Sequence, residues 1–441
     1  MQAEMSKEIH LFIIWEKARD SQTKILEDIA ENFTILKQYE ITWPPSLVAS
    51  NFTRFCGTRL GNNLQYKIDN CGTGEFLVVV VRDEEPIYEY RDTFHGKASV
   101  NKKMFEAKQR YRDWTGGGIR VHATDNIIET NHDLTLLVGK NVDDFLRSIT
   151  SPKKETLHKN LEGADGWKSI EQLFYVLNNT VRYAVMRGYG ELVSGDYIDH
   201  GDTDLITDDY ENLWIIVNSP KYNNNIKPKA KVIIGSETYL LDIWNCGYNG
   251  LNYFDPVWSK NMLDSAIIQP NGLKILNPTN DFYCLLYHCL TNKGYIADDY
   301  LPKLLQYKQD FGIMENDWNK VLVDFLKQNQ YEVIRPIDTD NPFRLSNPDI
   351  AEYALRNGGV CVFSNATVKV YEQSEKLIIK SLSDLAEVNK VCLVRVLNPI
   401  LASYPKSKSQ RGLIKKMYKG LTPKKIQKII SKVRKYLKCK K

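Results

Sequence analysis

A chain of 441 residues exceeds what one compact core usually organises, so at least two domains are expected. With 43% hydrophobic and 26% charged residues, it fits neither a disordered, a collagenous nor a disulfide-scaffold class. The formal charge of +5 hides an asymmetry: fifteen Lys and Arg and no acid lie between Lys406 and Lys441, leaving 44 basic against 54 acidic residues in the rest.

No run approaches the roughly 18 to 20 apolar residues that cross a bilayer, and the first residues lack a charged start followed by an apolar stretch. The expectation is a chain neither secreted nor membrane-spanning. The eight cysteines (Cys56, Cys71, Cys246, Cys284, Cys289, Cys361, Cys392 and Cys439) are scattered and form no C-x-x-C. That argues for reduced cytosolic thiols over a zinc ribbon or redox dithiol.

In chain order, Ile9 to Trp15 reads as a buried strand, Ser21 to Asn32 as a helix and Thr34 to Thr42 as a strand. Phe76 to Arg82 is the most strand-like run, followed by a turn at Asp83 to Pro86 and a strand from Ile87 to Arg91. Three glycines, Gly116 to Gly118, lead into a strand from Ile119 to His122, and Asn126 to Leu137 has helical spacing. This order predicts a split β-α-β type of α+β domain over residues 1–145. Residues 151–166 are polar and aperiodic and read as a boundary. A second α/β domain over 160–330 is expected from a helix at Trp167 to Leu177 and strands at Arg182 to Met186, Thr203 to Ile206, Leu213 to Val217, Lys231 to Ile234 and Thr238 to Trp244. A helical extension follows at Asp281 to Leu290, Asp299 to Asp310 and Asn316 to Gln328. Residues 331–403 read as a mixed accessory region and 404–441 as a basic amphipathic tail; no internal repeat is visible.

The first candidate site is His122 in the run His122-Ala123-Thr124-Asp125-Asn126, where a strand turns into a helix. Together with the Gly74-Glu75-Phe76-Leu77-Val78-Val79 strand, Arg91, Gly96, Asn101 and Arg112 in collinear order, it resembles the active-site stretch of nucleoside diphosphate kinases over about the first third of the chain. The resemblance implies a ferredoxin-like fold, His122 as a phosphoryl-accepting nucleophile, Arg91 and Arg112 as phosphate holders and Asp133 as the acid that orients the histidine. A neutral imidazole is a competent phosphoryl nucleophile, and guanidinium forks match phosphate oxygens. The sequence departs from the family pattern at Trp15, Val100 and Ile119, where that family has a lysine, a threonine and an asparagine.

The second candidate site is Gly201-Asp202-Thr203-Asp204-Leu205, preceded by Arg187-Gly188 and followed by Asp242 in an apolar strand run. Asp202 and Asp204, two apart on a strand, share a face where two carboxylates can hold a hard cation, and Asp242 would complete a two-ion site. The pattern resembles the polymerase-β-type nucleotidyltransferases, with Gly188 at the turn. The stretch from Arg187 through Tyr283 to His288 and Lys293 is loosely similar to the sugar-phosphate and choline-phosphate transferases of surface-glycan synthesis. The resemblances imply two Mg²⁺ ions, catalytic Asp202, Asp204 and Asp242, phosphate contacts at Arg187 and Gly188, a nucleotide-activated donor and a glycan or small-molecule acceptor.

In the tail, Thr422-Pro423 starts a helix whose Ile426, Ile429, Ile430, Val433 and Leu437 form one stripe opposite a cationic face. Such a helix suits an anionic membrane surface, while sparse aromatic residues argue against nucleic acid. The leading expectation is therefore a cytoplasmic, membrane-peripheral nucleotidyl- or sugar-phosphate transferase of polysaccharide synthesis. The alternatives are a phosphohistidine kinase acting through His122 and a non-enzymatic nucleotide-binding scaffold on a membrane.

Overall fold

The computed structural model describes residues 7–93, 96–187, 203–219, 229–246 and 254–333, all within one compact unit, Met1–Lys369. Gly188, His200, Asp202, most of the accessory region and the whole basic tail lie outside the described residues.

The chain begins with β1 (Glu8–Ile14), α1 (Gln22–Asn32), β2 (Thr34–Thr42), α2 (Val48–Cys56), α3 (Leu64–Cys71) and β3 (Phe76–Asp83). A hairpin of β4 (Tyr88–Thr93) and β5 (Gly96–Asn101) follows, then α4 (Lys102–Trp114), β6 (Val121–Ala123), α5 (Ile127–Val138), α6 (Val142–Ser148) and β7 (Glu155–His158). The first sheet has the order β6-β1-β3-β2-β7, antiparallel except where β7 joins β2 in parallel. Without β7, strands β1, β2, β3 and β6 with α1 and α4 form the split β-α-β arrangement expected from the sequence.

The second half contains α7 (Ile170–Thr180), β8 (Tyr183–Arg187), β9 (Thr203–Thr207), α8 (Tyr210–Ile216), β10 (Ala230–Ile234) and β11 (Glu237–Asn245). It continues through α9 (Pro256–Asp264), β12 (Ile267–Ile268), β13 (Lys274–Ile275), α10 (Pro278–Tyr287), a π-helical turn at His288–Lys293, α11 (Leu301–Asp310) and α12 (Trp318–Asn329). Its six-stranded sheet has the order β10-β11-β9-β8-β13-β12.

Alternation along the strands assigns their faces. On one face of the first sheet Phe12, Leu77, Val79 and Val81 pack on Ile25 and Ile29 of α1 and Met104 and Tyr111 of α4. On its other face Leu11, Ile13, Val78 and Val80 join Phe52 of α2, Leu134 of α5, Leu173 of α7 and Leu213 of α8 in one core with Val185, Leu205, Leu241 and Ile243 of the second sheet. The far face of that sheet, with Met186, Ile206 and Trp244, is covered by Trp258, Phe282, Leu285 and Leu322. Helices and sheets thus alternate in five layers, and the two expected domains share their middle layer. Buried Arg54 of α2 spans that layer, donating from Nη2 to the carbonyls of Glu162 (2.8 Å) and Ile216 (2.9 Å).

Several sequence expectations are corrected here. Residues 213–216 belong to helix α8, with Val217 as its C-cap, and not to a strand, because Tyr210, Leu213, Trp214 and Val217 fall at helical spacing and pack together on the middle core. The polar stretch 151–166 holds β7, an edge strand whose side chains are largely exposed, so its register lacks an apolar signature. Helices α2, α3, α4 and α9 and strand β5 carry no expectation from the sequence. The five cysteines among the described residues are free thiols. No helix of the described residues is long and apolar enough to cross a membrane.

Glu40 on β2 is 4% exposed and ion-paired with Arg19 and, at 3.0 Å, with Lys154. Burial pushes its carboxyl up, but Arg19 and Lys154 outweigh burial and hold it below the ordinary 4.5. A depressed folded-state value adds stability that is complete above the ordinary value and is lost as pH falls through the folded one. Glu40→Gln should therefore reduce the stability lost as pH falls below the ordinary carboxylate value, read from denaturation midpoints. Equal losses in the two proteins would contradict this.

Candidate functional sites

Strand β6 lies at the edge of the first sheet and pairs His122 with Ile13 of β1. Because Val121 and Ala123 point into the α1/α4 core, His122 faces the middle layer, where α5 crosses. Asn126 caps α5 by accepting from the Glu129 N–H at 3.0 Å, and Glu129 Oε2 accepts from the Asp125 N–H at 2.7 Å. This reciprocal cap fixes the start of the helix. Glu129 and Asp133, four apart, then rise from one face of α5 toward His122.

The imidazole of His122 meets Asp133 Oδ2 through Nε2 at 2.8 Å, while His132 meets Oδ1 of the same carboxylate through Nδ1 at 2.9 Å. Asp133 is fully buried. Burial pushes its carboxyl up, but the two histidines outweigh burial and hold it far below the usual carboxylate range. An ionised carboxylate only accepts, so the nitrogen of His122 that faces it, Nε2, donates, and Nδ1 is the ring nitrogen turned away from Asp133. Phe55 stands edge-on to His122 with ring centroids 5.8 Å apart. Glu129 is ion-paired with Arg59 from the 3₁₀ turn, Gly57–Leu60, that follows α2. One donor atom each from His122, Glu129 and Asp133 lies within 4.8 Å of the others, and this is the one such His/Cys/Asp/Glu group among the described residues.

The other residues expected around His122 are placed differently. Arg91 on β4 is ion-paired with Glu89 and, at 3.1 Å, with Glu106 on the surface. Arg112 donates from Nε to the carbonyl of Val121 at 3.0 Å, bracing the strand that carries His122. Trp15 is buried in an aromatic cluster, its ring centroid 4.7 Å from Phe76, 5.3 Å from Phe52 and 5.8 Å from Trp43. Val100 is fully buried, and Ile119 packs against the middle core.

At the second site, β11 and β9 run in parallel with Asp242 opposite Asp204, and β8 brings Arg187 opposite Asp204 on its other side, after a register shift. Both aspartates share a face with Ile206 and Trp244, toward the helical extension. Strand spacing of about 4.8 Å sets the two carboxylates side by side. Arg187 donates from Nε to Asp204 Oδ2 at 2.9 Å, and the Trp244 indole N–H donates to Asp204 Oδ1 at 2.9 Å. Asp242 is 9% exposed. The π-helical turn after α10 supplies a cationic edge, with Lys293 Nζ 4.7 Å from the Tyr300 ring centroid. The Tyr300 hydroxyl is pushed up by burial, with Arg187 and Lys293 acting against it, which puts all three in one electrostatic neighbourhood. His288 begins that turn half-buried, its ring 6.0 Å from Tyr300.

Sequence reasoning missed Arg59, Glu129, His132 and Trp244. Glu129 had a signal, sitting three residues after the capping Asn126; Arg59, 70 positions from its partner, had none.

No family model matches the chain. No curated protein matches it either. Among solved structures, the nucleoside diphosphate kinase of Aquifex aeolicus is similar over 29% of this chain and 93% of its own, with 14% identity and a TM-score of 0.21. A likeness this slight carries no argument, so the functional reading rests on the side chains themselves.

Proposed function

We propose that the chain is a magnesium-dependent phosphorus-group transferase acting on a nucleotide or nucleotide-activated donor at Asp204 and Asp242. The observation that carries this reading is the register of those two carboxylates on adjacent parallel strands, with the Arg187 guanidinium beside them. An all-carboxylate donor set suits a hard, oxygen-seeking ion, and the pairing of Asp204 with Arg187 marks it as a place that attracts positive charge. Asp204 and Asp242 would hold Mg²⁺, and Asp202, which lies outside the described residues, is proposed from the sequence as a third carboxylate. A bound ion supplies charge neutralisation on phosphate oxygens.

The remaining work belongs to the chain. Trp244 holds the Asp204 carboxylate in one orientation through its indole N–H. Arg187, when a phosphate arrives, exchanges part of its bond to Asp204 for a fork onto phosphate oxygens. Lys293, against the Tyr300 ring, is proposed to add positive charge on the side of the π-helical turn. The acceptor is proposed to be a hydroxyl of a glycan or small molecule, and the basic tail to seat the enzyme on an anionic membrane. The test is incubation of the full-length protein with Mg²⁺ and nucleoside triphosphates or nucleotide sugars. Metal-dependent release of pyrophosphate or of a nucleoside phosphate is expected, and no turnover of any donor would contradict the proposal.

The bond from Asp133 to His122 favours a second reading, phosphoryl transfer through His122 Nδ1. Three features weigh against it: the Glu129 carboxylate beside the ring repels a phosphoryl group, Arg91 is tied to Glu89 and Glu106, and Trp15 fills the core where a phosphate-binding lysine is needed. Incubation with γ-labelled ATP should accordingly leave no acid-labile label. A label that appears in the native protein and vanishes in His122→Ala would promote the kinase reading.

A further inference from the structure

We infer that His122, Glu129 and Asp133 form a binding site for one divalent transition-metal ion of the Zn²⁺ class, separate from the carboxylate pair of the second sheet. The three donor atoms already lie within 4.8 Å of one another, and they come from a strand edge and one face of a single helix, both fixed by hydrogen bonds. The donor set mixes one imidazole nitrogen with two carboxylates, a combination that suits Zn²⁺ or Mn²⁺ better than an all-oxygen ion such as Mg²⁺. Two further observations point the same way. Asp133 is fully buried and its second oxygen is bonded to His132, the outer-sphere imidazole–carboxylate support that orients a metal ligand. In addition, Asp133 and the largely buried Glu129 set two carboxylates beside one imidazole, and the permanent cation there, Arg59, is ion-paired with Glu129 and not with Asp133.

Every donor has a partner in the ion-free arrangement: His122 with Asp133, Asp133 with His132, and Glu129 with Arg59 and the Asp125 N–H. Zn²⁺ bonds to its nitrogen and oxygen ligands at about 2.0 to 2.2 Å, so it must displace the proton between His122 Nε2 and Asp133 Oδ2 to solvent and draw in the third of its ligands. The movable one is Glu129, which lets go of Arg59 to reach the ion. The ion and the Arg59 guanidinium therefore compete for one carboxylate, a consequence that a purely structural ion-pair network would not produce.

The test uses full-length protein stripped with a chelator and then dialysed into excess Mg²⁺, which saturates the all-carboxylate pair. Titration with Zn²⁺ by calorimetry should show one tight site, and Co²⁺ should give the visible absorption of an imidazole-ligated ion. His122→Gln and Glu129→Gln should each weaken Zn²⁺ by at least ~10-fold, the scale on which even outer partners of a ligand act. Arg59→Gln, at an exposed position, should bind Zn²⁺ several-fold more tightly, and thermal melting verifies that each variant is folded. The inference is overturned if no Zn²⁺ binds in the presence of Mg²⁺, or if His122→Gln and Glu129→Gln bind as the native protein does. It is equally overturned if Arg59→Gln leaves the affinity unchanged.

Discussion

Asp204→Asn and Asp242→Asn are each expected to abolish metal-dependent transfer while the protein stays folded. Each substitution keeps the shape of the side chain and removes one negative charge from a pair that the sheet register holds on adjacent strands. A hard cation bound by carboxylates loses much of its attraction when one becomes an amide, and the charge stabilisation forfeited in the transition state is several kcal/mol. That corresponds to a fall of roughly 100-fold or more in turnover. Asp204→Asn carries a second effect, because its Oδ2 accepts from Arg187. If the amide flips, its NH₂ faces the guanidinium, so this variant should melt somewhat lower than Asp242→Asn. Full activity in both variants would remove the carboxylate pair from the chemistry.

The largest expected effect on stability is at Trp15. Its ring is 1% exposed and touches Trp43, Phe52, Phe55 and Phe76, with Lys67 Nζ 5.2 Å from its centroid. Trp15→Ala should cost about 3 to 5 kcal/mol, because these rings cannot all collapse into the space left behind. Trp15→Lys would restore the residue type that phosphate binding on this strand needs, yet it should destabilise the protein at least as much. It would bury an ammonium among aromatic rings and beside Lys67, without a carboxylate partner. Neither variant should gain a phosphohistidine label. A well-folded Trp15→Lys protein that labels at His122 would show that the tryptophan merely masks a kinase site.

The sequence disclosed most where one residue's neighbours along the chain decide its fate. Phe76 to Asp83 is apolar at nearly every position because β3 is central and covered on both faces, and such a run is legible at once. Asp204 and Asp242 stood out because each interrupts an apolar strand, and a carboxylate in that setting needs a reason. His122 and Asp133 were legible as the end of a strand and one face of the next helix. What stayed hidden depends on distant contacts. Arg59 reaches Glu129 from the 3₁₀ turn after α2, β7 adds to the sheet edge at β2 with largely exposed side chains, and the shared middle core joins halves that look like separate domains. Helix α8 was misread because a short apolar run fits a strand or a helix equally well until its partners are known.

The most direct test of the central claim is a structure of the full-length protein with Mg²⁺ and a non-hydrolysable nucleotide analogue. Ions are expected between Asp204 and Asp242, with phosphate oxygens against Arg187. Phosphate bound against His122, with nothing beside Asp204 and Asp242, would contradict it.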